Sequence, residues 1–333
     1  MLNQSVIDLA AGVAHSHAQR RQRVSESIGP AHSSADDMTL ELGRSRPVRC
    51  RLSGKKARPL AIVLGGISAD RQVDRWWPEV TGTKGALSVR RFRRLSIDWP
   101  APEDDRTTGV DDFADSLAGV LDALGLARVQ TFVGASFGAM VGLAFAARHP
   151  DRIGRLIAIS GAHRSTPAAT AGRLIQRRII ESLTSLGNPA GGVALARSLA
   201  LTGYRPAGLF DKRFYDTDPG QTLARIEQYL EYNGTSFAER FDAKHYLALS
   251  SALDLHCVDP ATIRCRTDLI GVTSDDLVPV SQLRELAGAI GIRARLHLVD
   301  SPYGHDAFLK STQLLNPLLE RLLAEADGEH DHV

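Results

Sequence analysis

Five residues near the middle of the chain, Gly134-Ala135-Ser136-Phe137-Gly138, carry its sharpest chemical signal. They follow an apolar run ending at Val133 and open a helix-period stretch, Phe137–Arg148, so G-x-S-x-G stands between a strand and a helix. A serine in that setting sits on a strained turn, and side chains at 134 and 138 would collide with the neighbouring strand and helix. Ser136 Oγ is then presented at the carboxyl end of a strand, where open parallel sheets gather ligands, with helix amides aimed at the same point. A serine hydroxyl is a weak nucleophile; it needs a base, and the base needs an acid to orient it.

Both partners are available in the order Ser, Asp, His. Asp275 and Asp276 lie just past the strand-like run Thr267–Thr273, and His305 lies just past Ala294–Val299. Other histidines fit worse: His149 closes the helix after Ser136, His297 falls inside a strand, and His163, His245 and His256 lie in or beside a helical stretch. Spacing alone leaves Asp275 and Asp276 open as the acid. Acyl transfer also needs two backbone donors for its oxyanion. Phe137 N–H is one. The loop after Leu60–Leu64, Gly65-Gly66-Ile67-Ser68, offers the other at Ile67, although a plain turn would use Gly-Gly too. No metal is expected; His330 and His332 read as part of a solvated tail.

The elements that position these groups follow from periodicity. Met38–Leu42 and Val48–Leu52 alternate and predict paired edge strands; Leu60–Leu64 predicts a buried one; Ser88–Asp98 alternates up to Pro100. Val110–Leu126 has helical spacing, and Val129–Val133 and Leu156–Ser160 predict strands either side of the Phe137–Arg148 helix. This βαβ rhythm implies a mostly parallel sheet covered by helices. Residues 166–255 break it, with helices expected around Ala168–Leu186, Val193–Leu201, Gln221–Tyr232 and Ala243–Leu253. Thr267–Thr273 and Ala294–Val299 restore the strands, and Ala307–Ala326 predicts a last helix. The expected fold is the α/β-hydrolase fold: core over 38–165, helical lid over 166–255, core again over 256–333. A loosely ordered extension, 1–37, precedes it, with one short helix over Ser5–His15.

Composition excludes other classes. The 333 residues hold 40 Lys+Arg against 38 Asp+Glu, a net charge of +2, which argues against nucleic acid or an anionic membrane as main partner. Three cysteines without a CxxC pair suit a reducing cytoplasm. No apolar run reaches about 18 residues, so no membrane span is expected, and no basic-then-apolar leader is apparent.

The chain resembles the homoserine O-acyltransferase family of the α/β-hydrolase fold over most of its length after about residue 40. Four stretches carry the likeness: Gly134–Met140 with Ala146–Arg152 behind it; Phe237–Leu249 followed by Ala252-Leu253-Asp254; Val272–Pro279; and Gly304–Leu309. The resemblance implies Asp275 as the acid of the triad. It implies an arginine seven residues before a tyrosine on a lid helix, both touching homoserine; Arg225 and Tyr232 have that spacing. It further implies Asp306 against the substrate ammonium, acyl-CoA as co-substrate, a homodimer formed through the lid, and a place in methionine biosynthesis. Acetyl-CoA is favoured as donor over succinyl-CoA, which needs a cation in the acyl pocket, such as Arg71. The chain departs from the family in its compressed Ser88–Asp112 segment, in Gly65–Ala69, and in Phe137 where methionine is usual. Two other readings share the triad: a general esterase or thioesterase, and a serine O-acyltransferase.

Overall fold

The computed structural model describes residues 35–42, 45–101 and 109–327. The expected helix at Ser5–His15, the rest of the extension up to residue 34 and the polar tail from 328 lie outside the described residues.

Eight strands form one sheet in the order β1-β2-β4-β3-β5-β6-β7-β8. β1 (Ala35–Leu42) pairs antiparallel with β2 (Ser45–Ser53), Met38 opposite Cys50, and β2 pairs antiparallel with β4 (Arg93–Ile97). From β4 onward every pairing is parallel, through β3 (Leu60–Leu64), β5 (Val129–Ala135), β6 (Ile153–Ile159), β7 (Arg266–Val272) and β8 (Ala294–Val299). β3 is buried at all positions, as a parallel strand covered on both faces must be. Its residues alternate between two cores: Ile62 and Leu64 pack on one side with Phe132, Leu156 and Leu269, while Ala61 and Val63 face Val133, Ile157, Trp77 and Leu319 on the other.

Helix α1 (Val110–Ala123) ends earlier than its periodicity predicts. Gly125 takes φ +63°, its N–H reaching Asp122 O and that of Leu126 reaching Leu121 O, a Schellman stop that satisfies the last carbonyls. Helix α2 (Phe137–Arg148) is buried on nearly every side, filling the space between β3, β5 and β6. β4 is shorter than the predicted Ser88–Asp98 because Ser88 O closes a turn onto Arg91 and Phe92 N–H.

Between β6 and β7 run five helices where four were expected: α3 (Pro167–Ser185), α4 (Pro189–Tyr204), α5 (Ala207–Phe214), α6 (Pro219–Ala238) and α7 (Ala243–Leu255). α5, two turns anchored by Phe210 and Phe214 on Tyr229, is too short to leave a clear period. The insertion leaves and rejoins the core at one point: Arg164 and Cys257 form an antiparallel bridge, and Val258 N–H donates to His163 O at 2.9 Å. Helix α8 (Val280–Ile290) follows β7, an element the periodicity did not single out. The predicted terminal helix is broken. Ala307–Lys310 forms one turn, Ser311 leaves helical geometry with its Oγ 2.7 Å from Ser301 Oγ, and α9 (Thr312–Asp327) begins afresh.

Candidate active site

β5 ends at Ala135 and α2 begins at Phe137, leaving Ser136 on the turn at φ 55° and ψ −117°. Few non-glycine residues tolerate positive φ, and the surroundings hold this one there. A Cβ on Gly134 would lie 2.2 Å from Gly138 O, and one on Gly138 would lie 2.6 Å from Leu64 O. The backbones of β3, β5 and α2 therefore approach to distances that only glycine permits.

Ser136 Oγ is 2.8 Å from His305 Nε2, and His305 Nδ1 is 2.8 Å from Asp275 Oδ2. The other carboxylate oxygen, Asp275 Oδ1, accepts from Leu277 N–H at 3.0 Å and Val278 N–H at 3.1 Å. Asp275 is buried while Asp276 is exposed, so the structure brings the first of the pair to His305. Burial opposes a charged imidazole at 305, but the charge and hydrogen bond of Asp275, with the Asp306 charge behind them, outweigh it and hold the His305 pKa above its ordinary value.

The two residues expected to give the oxyanion donors stand next to Ser136, Phe137 in the chain and Ile67 across the cavity. Phe137 is the first residue of α2, so its N–H has no intrahelical acceptor. Ile67 lines the cavity with Ser136, and Gly66 beside it is close enough that a Cβ would lie 3.9 Å from Ser136 Oγ. Two bonds fix this loop: Gly138 N–H to Gly65 O at 2.8 Å, and the Trp99 indole N–H to Gly66 O at 3.0 Å. Trp99 also packs edge-on against Phe137, centroids 4.7 Å apart, and Phe113 completes the trio. The Phe137 departure and the Trp99 loop anchor thus form one aromatic unit. Sequence reasoning missed Trp99, whose partner is 33 residues away.

A cavity of about 300 Å³ opens beneath the lid helices, with Ser136 and His305 in its wall. Arg225 and Tyr232 do not reach it, which corrects the sequence expectation. Both lie on the outer side of α6, whose buried residues are Gly234 and Phe237. The Arg225 side chain, 51% exposed, pairs with Asp216 at 3.1 Å, and Tyr232 is 69% exposed. The seven-residue Arg-to-Tyr spacing occurs a second time, at Arg197 and Tyr204 on α4. Tyr204 lines the cavity with its ring 5.8 Å from that of His305. The Arg197 guanidinium stacks over Tyr204 and Phe237 at 5.4 and 4.8 Å and has no carboxylate partner among the described residues. That spacing was the available signal; choosing between its two occurrences required knowing which helix face turns inward.

Asp306 is buried, but its Oδ2 already accepts from Arg205 Nε at 2.8 Å, and Arg205 in turn donates to Tyr229 Oη. Arg71 lies in a separate pocket, bound to Asp98 at 2.8 Å and Asp37 at 3.2 Å. Among the described residues no group of three or more His, Cys, Asp or Glu is placed to hold a metal, and no helix is long and apolar enough to cross a membrane.

Residues 62–312 match the family described as alpha/beta hydrolase fold. The chain is 38% identical over 294 residues to a homoserine O-succinyltransferase of Xanthomonas campestris pv. campestris, covering 84% of this chain and 79% of the relative. It is 31% identical over 317 residues to a homoserine O-acetyltransferase of Symbiobacterium thermophilum, covering 81% and 83%. Among solved structures, a homoserine O-acetyltransferase from Bacillus anthracis superposes with a TM-score of 0.76 at 15% identity, covering 87% of this chain and 97% of that one, a likeness of fold.

Proposed function

Because the chain belongs to the homoserine O-acyltransferases of the α/β-hydrolase fold, we propose that it moves an acyl group from acyl-CoA to the hydroxyl of homoserine through an ester on Ser136. The observation that carries the mechanism is the unbroken chain Ser136 Oγ, His305, Asp275, each link 2.8 Å.

Neutral His305 keeps its Nδ1–H hydrogen-bonded to Asp275 and accepts the Ser136 proton at Nε2, becoming an imidazolium that the Asp275 carboxylate stabilises. Ser136 Oγ attacks the thioester carbonyl, and Phe137 and Ile67 N–H groups stabilise the oxyanion. The tetrahedral adduct expels the CoA sulfur, which takes the proton from His305 and leaves as free thiol. Homoserine then enters. His305 removes its γ-hydroxyl proton, the oxygen attacks the Ser136 ester, and collapse returns the proton to Ser136. No proton or electron pair is left over in either half.

Arg197 is the group we assign to the homoserine carboxylate, since its guanidinium is oriented by two rings and has no carboxylate partner among the described residues. The Tyr204 hydroxyl adds a hydrogen bond, and Asp306 takes the ammonium, sharing its charge with Arg205. The lid over 166–255 covers the ester and keeps water from hydrolysing it. Exposed Leu186, Leu195, Leu223 and Tyr232 on the lid favour the expected pairing of two copies there, in the cytoplasm.

An esterase would use the same triad without needing Arg197. The test is CoA release from acetyl-CoA and succinyl-CoA with and without homoserine. Release that depends on homoserine, together with loss of the covalent acyl adduct in Ser136→Ala, is expected. Release indifferent to homoserine, with no O-acylhomoserine formed, would replace this reading with the esterase.

A further inference from the structure

One side chain touches both residues expected to supply the oxyanion donors. Trp99 follows closely on the end of β4 and is buried. Its ring stands edge-on to Phe137, centroids 4.7 Å apart at 78°, and to Phe113 of α1, 5.9 Å apart at 88°. Its Nε1–H donates to Gly66 O at 3.0 Å. Trp99 is not among the residues lining the cavity that holds Ser136 and His305, so it can act on the reacting atoms only through these neighbours.

The bond to Gly66 fixes a direction. Gly66 O also accepts from Ala69 N–H at 3.0 Å, which closes a β-turn with Ile67 and Ser68 at its centre. The Gly66 carbonyl and the Ile67 N–H belong to one peptide unit. No peptide bond among the described residues is cis, so the two groups point in opposite senses. Two donors hold the carbonyl on the side of Trp99 and Ala69, and the Ile67 N–H is thereby turned the other way. That N–H has no acceptor among the described residues. Ile67 lines the cavity together with Ser136, and a Cβ on Gly66 would lie 3.9 Å from Ser136 Oγ, so the peptide that carries the free donor stands beside the reacting oxygen.

Other bonds hold the ends of this loop. Gly138 N–H donates to Gly65 O at 2.8 Å, Ser96 Oγ donates to Arg71 O at 2.6 Å, and Arg71 N–H donates to Asp98 Oδ1 at 2.9 Å. Apart from the turn's own closure, only the Trp99 indole grips the peptide that bears the donor. The three segments in which the sequence departs from the family, Gly65–Ala69, Ser88–Asp112 and Phe137, meet at this ring.

Resting on the acyl transfer through Ser136 proposed above, we propose that Trp99 is a positioning residue of the oxyanion hole. Its indole N–H sets the orientation of the Ile67 N–H while its ring seats Phe137, so that both donors converge on one oxygen. An indole N–H donates and never accepts, so it holds this peptide in one sense only. A flipped Gly66–Ile67 peptide would set two donors against each other and aim a carbonyl at the oxyanion.

The test uses p-nitrophenyl acetate, an activated ester that acylates such a serine whatever its natural donor, isotope-labelled at the carbonyl carbon. Two quantities are read: the burst rate of p-nitrophenolate release, and the infrared carbonyl stretch of acetyl-Ser136, which falls as hydrogen bonds to the carbonyl oxygen strengthen. Trp99→Phe keeps an aromatic ring and removes the N–H. Its burst should slow by about tenfold, the worth of one hydrogen bond and less than the loss of an oxyanion donor itself, and its stretch should move to higher wavenumber. Ser96→Ala loosens the same loop at Arg71 and should leave both readings in place. In Trp99→Phe, an unmoved stretch or a burst within about twofold of wild type assigns Trp99 to packing alone and overturns the inference. An equal shift of the stretch in Ser96→Ala overturns it too. Should Trp99→Phe fail to fold, benzothienylalanine at position 99, which keeps the bicyclic shape and puts sulfur where the N–H was, gives the same two readings. CoA release indifferent to homoserine overturns the proposed function instead and leaves these readings to decide on Trp99.

Discussion

Replacing Asp275 by Asn changes one atom, and the structure says where that atom goes. The two backbone amides of Leu277 and Val278 both donate to Oδ1 of residue 275. They will select the amide oxygen of Asn for that place, which turns the NH₂ group toward His305 Nδ1. An NH₂ donates, so Nδ1 must accept, and the ring proton moves to Nε2, the nitrogen that has to receive the Ser136 proton. The resting tautomer is then the wrong one. For a triad of this kind that error costs about 10⁴-fold in kcat, roughly 5 kcal/mol of barrier. The pH profile moves too. His305 acts as a base when neutral, so wild-type activity rises with pH through its pKa, which lies above the ordinary imidazole value of 6.5 chiefly because Asp275 overcomes burial. Without the Asp275 charge, burial dominates and the acidic limb shifts to lower pH. The assay is CoA thiol release from pH 5 to 9, with circular dichroism to show an intact fold, and Asp276→Asn as control because that carboxylate is exposed. Asp275→Asn activity within tenfold of wild type, or an acidic limb that stays in place, would refute the reasoning.

Three further outcomes follow from the geometry. Arg197→Met and Tyr204→Phe should raise the homoserine KM, the first by about 100-fold, whereas Arg225→Ala and Tyr232→Phe should leave it within about twofold; steady-state kinetics at varied homoserine separate the two pairs. Gly138→Ala places a Cβ 2.6 Å from Leu64 O and should lower stability by at least about 2 kcal/mol in urea titrations, with loss of activity. Burial lowers the His256 pKa to about 4; between that value and 6.5 the unfolded chain binds a proton that the folded chain does not, so stability falls as pH falls through this window. His256→Gln should remove about one proton, near 1.4 kcal/mol per pH unit, from the slope of unfolding free energy against pH there.

The parts legible in the sequence were those whose cause is local. Leu60–Leu64 and Ala294–Val299 form strands with the predicted ends, and the glycines flanking Ser136 announced their close approaches before any neighbour was known. Ser136 and His305, read from loop positions after strands, meet because parallel strands put their carboxyl ends on one edge. The contacts that were not legible depend on which face of an element turns inward. Arg225 and Arg197 each stand seven residues before a tyrosine, and only packing of α6 through Gly234 and Phe237 turns one outward and leaves the other inside. Trp99 at the oxyanion loop has the same origin: its partner lies far off along the chain.

The bridge between Arg164 and Cys257 has an evolutionary consequence. All five lid helices leave and return through one doorway between adjacent strands β6 and β7, which would be neighbours in the sheet without them. A segment with both ends at one place can be lengthened, shortened or exchanged without rerouting any other part of the chain. The triad stands on the sheet, while Arg197 and Tyr204 come from the removable segment. Descendants of such an ancestor can therefore keep one reaction engine and trade acceptors and donors by altering a cassette, each change being tried against an unaltered nucleophile.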